Sequence, residues 1–185
     1  MTYCCHFLFI PLNDKLKDKR MSTPEKTPKN TAVITPEELL AYWSGHRGLT
    51  RKLIEAFPEK EFFEYSLGGM RPCCQLIQEL LDVSAGGVRE MVGGDAGEIA
   101  GHTVKAKSKE EMLAIWDKNT TELLENLAKI PLEKFHERIL SFGQYEGTIW
   151  ENIFYFIDNE IHHRGQAYVY LRSLGMEPPA FWDRN

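Results

Sequence analysis

The sequence predicts an all-α chain folded as a four-helix bundle. Three observations carry that reading. Apolar residues recur at spacings of three and four along four long stretches. Each stretch opens on a start signal and closes at glycine or proline. No strand pattern and no internal repeat of roughly 20–50 residues interrupts them. Four amphipathic helices in a chain of 185 residues can bury their stripes only on one another.

The first helix opens at Thr35-Pro36-Glu37-Glu38. That stretch supplies a side-chain cap, a proline at the first helical position and an acid one turn in. Leu39, Leu40, Trp43, Leu49, Leu53, Ile54 and Phe57 form its stripe, and Pro58 closes it. A short extended piece is expected over 62–69. Pro72 opens the second helix, whose stripe is Leu76, Ile77, Leu80, Leu81, Val83, Val88 and Met91, and Gly93-Gly94 ends it. Ser108-Lys109-Glu110-Glu111 is a capping box for the third. That helix carries Met112, Ile115, Trp116, Leu123, Leu124 and Leu127 and stops before Pro131. A turn is expected from Phe142 to Gly147. The fourth helix runs from Thr148 to Leu174, with Gly175 as its cap and Pro178-Pro179 beyond. The connection over residues 93–107 is long for an antiparallel hairpin. It leaves room to cross the bundle and set the second and third helices parallel.

Composition excludes several classes. The chain is 43% hydrophobic and 26% charged, which are globular proportions. No apolar run reaches the roughly 20 residues of a membrane span. A net charge of −5 gives no basic face for nucleic acid. The cysteines sit as adjacent pairs, Cys4-Cys5 and Cys73-Cys74, without the C-x-x-C spacing of a zinc site. A reducing, cytoplasmic setting is expected. Residues 1–34 are expected to stand apart as an extension and linker, with the bundle at 35–185. The apolar stretch Tyr3–Ile10 is followed, not preceded, by Lys15, Lys17, Lys19 and Arg20, the wrong order for secretion. Met21 opens a polar, proline-containing stretch and is the expected native start; an N-terminal anchor is the competing reading.

The anomalies lie on the fourth helix. Its stripe runs Ile149, Ile153, Phe156, then Ala167, Tyr170 and Leu174, and stepping between these ends lands on Glu160 and His163. Asn159 sits one turn before His163. A carboxylate and an imidazole on a core-facing stripe are costly unless paired, protonated or metal-bound. Gly165, in mid-helix, costs about 1 kcal/mol relative to Ala, so a close approach of backbone or ligand is expected there. On the second helix Glu79 lies at the edge of the stripe; on the first, His46 follows Trp43 by three. Bundles build metal sites from inward Glu and His on facing helices. Asn159, His163 and one acid across the interface fit that pattern. The same residues, with His162-His163-Arg164-Gly165-Gln166, fit a buried hydrogen-bond network that fixes helix register, so both readings stand. His102 and His136 are expected at the surface, and the four tryptophans in the core or at its rim. Cys73 and Cys74 fall in a helical first turn, which can activate a thiol; buried, inert cysteines are the expectation.

Asn159-Glu-Ile-His-His-Arg-Gly-Gln166, Tyr-Val-Tyr-Leu-Arg172, Leu174-Gly175 and Pro178-Pro179 together resemble the C-terminal signature of the DinB superfamily. His46-Arg47, Arg71-Pro72 and Leu80-Leu81-Asp82-Val83 extend the likeness over roughly residues 35–184. The resemblance implies an up-down-down-up bundle and a divalent metal held by three histidines, one from the second helix and two from the last. Those positions fall on Glu79, Asn159 and His163, and only His163 keeps the family's residue type. The changed set is richer in oxygen and favours manganese, iron(II) or magnesium over the zinc, nickel or copper that three imidazoles suit. The resemblance further implies a homodimer and a small-molecule substrate. The chemistry it implies is thiol-dependent transfer or isomerisation, with Glu160 or His46 as orienter or base. A non-catalytic stress-response bundle with a degenerate, metal-free pocket is the alternative.

Overall fold

The computed structural model describes residues 33–97 and 103–184. Of the N-terminal segment set apart above, only its last two residues fall within them; His102 also lies outside the described residues. The helices are α1 (Pro36–Ala56), α2 (Glu59–Glu64), α3 (Cys73–Met91), α4 (Lys109–Leu127) and α5 (Ile149–Ser173). A hairpin of β1 (Arg138–Ser141) and β2 (Tyr145–Thr148) precedes α5.

The start signals act as their chemistry dictates. Thr35 Oγ1 accepts from Glu38 N while Glu38 returns a bond to Thr35 N, and Thr148 with Glu151 repeats the arrangement at α5. Ser108 Oγ accepts from Glu111 N at the start of α4. Gly175, at φ +76°, takes the left-handed conformation that lets α5 end.

Two expectations are corrected. Residues 59–64 form the short helix α2 where an extended piece was expected to begin at 62. One helical turn after Pro58 buries Phe62 completely, with its ring edge-on to Phe57 at 6.0 Å. Around the expected turn at 142–147 there is a hairpin, with Arg138 opposite Thr148 and Ser141 opposite Tyr145. Burial alternates along β1, but neither Arg-Ile-Leu-Ser nor Tyr-Glu-Gly-Thr alternates apolar with polar residues over its four positions, so the sequence carries no clear period-2 signal.

Helix α1 packs against α4 and α5, and α3 packs against the same two. Between α3 and α4 the contacts ascend together, Leu81 with Asn119 and Arg89 with Glu122, so these helices run parallel. Between α3 and α5 they descend, Glu79 with His163 and Gly87 with Phe156, so this pair is antiparallel.

The apolar core falls into two clusters. One joins Leu53, Phe57, Leu76, Trp116 and Tyr170; the other joins Leu39, Trp43, Val88, Leu123 and Ile153. Each long helix places polar residues between the clusters, among them Arg47, Ser84, Asn119 and Glu160. Arg47 is 1% exposed and donates to Thr120 Oγ1 at 2.9 Å, Asn119 Oδ1 at 2.9 Å and Ser84 Oγ at 3.5 Å. Its guanidinium lies 3.3 Å from the centre of the Trp116 ring. Burial lowers its pKa to about 10, against the opposing pull of Glu160 and Asp117.

Candidate functional site

Glu79 on α3 and His163 on α5 converge. His163 Nε2 lies 3.0 Å from Glu79 Oε1, and Asn159 Nδ2 donates to that oxygen at 3.3 Å. From the segment just before α3, Arg71 Nη2 reaches Glu79 Oε2 at 2.6 Å. His163 Nδ1 meets Gln166 Oε1 at 2.8 Å. The spacing explains the convergence: 159, 163 and 166 share one face of α5, and α3 crosses that face at Glu79. Burial works to raise the Glu79 carboxyl, but the hydrogen bonds and charges of His163 and Arg71 outweigh it and hold the pKa at about 2.

Glu160 and His46 are brought together elsewhere, in the polar layer. Glu160 is 1% exposed and accepts from Thr50 Oγ1 at 2.6 Å and Trp43 Nε1 at 3.2 Å. Arg164 and Arg47 flank it at 3.5 Å and 3.8 Å. His46, also buried, has Arg164 Nη2 at 2.8 Å from Nδ1 and Arg184 Nη1 at 3.2 Å from Nε2. Burial first, then the charges of Arg164 and Arg184, lower its pKa to about 4. So weak a base, closed off from solvent, is poorly suited to proton transfer at neutral pH.

A cleft of about 610 Å³ opens between the hairpin, α3 and α5. Glu79 and Asn159 line it; Glu160, His46 and His163 do not. Two glycines of α3 beside it allow close packing. A Cβ on Gly87 would meet Phe156 Cζ at 2.4 Å, and one on Gly86 would meet Ala96 O at 2.4 Å. Close packing was expected at Gly165 and is found here. Gly165 is exposed, with no atom within 4 Å of where a Cβ would sit.

The sequence model of the DinB family matches residues 21–184. The chain belongs to the DinB family. A DinB-like protein from Bacillus cereus superposes with a TM-score of 0.66 at 18% identity, covering 79% of this chain and 97% of its own. A DinB-like protein from Bacillus subtilis superposes with a TM-score of 0.63 at 15% identity, covering 80% and 99%. At such identities the likeness is one of fold. No curated protein matches.

Tested against the metal site that the resemblance implies, the donor set of this DinB chain does not fit. A cation needs lone pairs that converge on it. Here the Arg71 guanidinium and the Asn159 amide direct N–H groups at the Glu79 carboxylate, and the guanidinium already supplies its positive counter-charge. Among the described residues no group of three or more His, Cys, Asp or Glu side chains is placed to hold a metal ion. Neither Arg71 nor Gln166 is among the site residues the sequence predicts; Gln166, three residues after His163, carries a periodic signal, whereas Arg71, in a loop, carries none.

The cysteines match their expected context. Cys73 and Cys74 are buried, and burial pushes both thiols up, away from the reactive thiolate. Trp43 and Trp116 are core residues, while Trp150 and Trp182 are exposed, as is His136. Among the described residues no helix is long and apolar enough to cross a membrane.

Proposed function

We propose that this DinB-family chain binds a small organic molecule in the cleft between the hairpin, α3 and α5, over a polar floor held by Arg71 in place of a metal ion. The observation that carries the reading is the Arg71–Glu79–Asn159 arrangement at the wall of a cleft of about 610 Å³. That volume falls in the usual range for small-molecule sites, roughly 300–1,000 Å³. The apolar walls bury a ligand body, and the few fixed polar groups orient it. The metal-dependent, thiol-linked chemistry implied by the resemblance is the rival, and it would need the ion to displace Arg71 from Glu79.

Metal content and ligand binding of untagged protein test the proposal together. The expected result is protein without stoichiometric manganese, iron, nickel or zinc. Its melting temperature ignores added metals, and small organic probes perturb amide resonances around Phe142, Tyr155 and Asn159. Stoichiometric metal bound through Glu79 and His163 would reinstate the metalloenzyme reading.

A further inference from the structure

The cleft has a chemical bias. Three carboxylates, Glu79, Glu146 and Glu151, line it against two guanidinium groups, Arg71 at 2.6 Å from Glu79 and Arg138 at 2.9 Å from Glu146, which leaves an excess of one negative charge. Aromatic rings form much of the remaining wall: Phe142 and Tyr145 from the hairpin, Tyr155 and Phe156 from α5. Ring faces attract cations, and a partly desolvated acidic cleft concentrates them and repels anions.

A second observation comes from Ser141, at the end of β1. It lines the cleft, is 1% exposed, and its Oγ has no hydrogen-bond partner among the described residues. An unpartnered buried hydroxyl is destabilising, and most buried polar groups avoid that cost by pairing. A hydroxyl accepts readily through its lone pairs, so a ligand N–H would satisfy it.

We propose that the cleft takes a small organic cation, a protonated amine with an aromatic or apolar body. The ammonium donates to Ser141 Oγ within the field of the carboxylates, and the body lies against the aromatic walls. This deepens the small-molecule reading above and rests on it.

The test uses the full chain, isotope-labelled, titrated at pH 7 with benzylamine, benzyl alcohol and benzoate. These probes share a ring and chain length and differ in charge. Benzylamine is expected to shift amides around Ser141, Phe142 and Tyr155, with an affinity at least about tenfold above that of benzoate. Added salt should weaken it. Ser141→Ala should lower benzylamine affinity severalfold while leaving the unliganded protein as stable as wild type or more so, because the orphaned hydroxyl is gone. Equal or tighter binding of benzoate or benzyl alcohol overturns the cation while leaving the small-molecule pocket standing. Binding of benzylamine that Ser141→Ala does not change overturns the placement of the ammonium. No shift with any of the three overturns both readings.

Discussion

Glu160→Gln tests whether the polar layer is structural. The substitution keeps shape and removes one charge from a site where the carboxylate is 1% exposed. At an effective dielectric of about 20, the separations of 3.5 Å from Arg164 and 3.8 Å from Arg47 correspond to gross attractions of about 5 and about 4 kcal/mol. Part of this is offset, because the neutral amide no longer carries the cost of a desolvated charge. Two buried guanidinium groups are nevertheless left without their common counter-ion, and breaking a buried pair on one side costs about 3–5 kcal/mol. The amide must also turn a donor toward Thr50 or Trp43, both of which now donate to Glu160. For a bundle of this size, with a urea slope of about 2 kcal/mol per molar, the unfolding midpoint should fall by about 2 M. Urea denaturation followed by circular dichroism measures it. A shift below about 0.5 M would refute the reasoning and return Glu160 to the list of functional candidates.

Gly87→Ala should destabilise by about 1–2 kcal/mol. Overpacking against Phe156 exceeds the gain of about 1 kcal/mol in helix propensity, and thermal unfolding measures the balance. Gly165→Ala, at an exposed and open helical site, should instead stabilise by up to about 1 kcal/mol, read in the same assay. His46 is held neutral, with a pKa lowered from 6.5 to about 4. The unfolded chain therefore binds the extra proton, and the stability His46 contributes is complete above pH 6.5 and lost as the pH falls through 4. His46→Gln should flatten that part of the stability–pH curve. Asn159→His alone should leave zinc binding weak, whereas Arg71→Ala with Asn159→His should gain it, because a third ligand becomes useful only once the guanidinium leaves Glu79; calorimetric zinc titration compares the two.

The sequence by itself determined the helices. Their caps and stripes are local, so Thr35, Ser108 and Thr148 could be read from neighbours three residues away, and the structure places these caps where the sequence did. It also showed that Glu160 and His163 interrupt an apolar stripe, because the helical period fixes which residues share a face. Periodicity does not reveal what a side chain meets across the bundle. Tertiary structure separated Glu160 and His46, in the buried arginine layer, from Glu79, Asn159 and His163, although Glu160 and Asn159 are adjacent in the chain. It likewise set Arg71 on Glu79, a pairing between a loop and a helix that no spacing rule reaches. The glycines show the same division. Gly165 and Gly87 are both mid-helix glycines and carry the same local penalty, yet only Gly87 has a ring pressed against it, because α5 brings Phe156 there and leaves Gly165 facing outward.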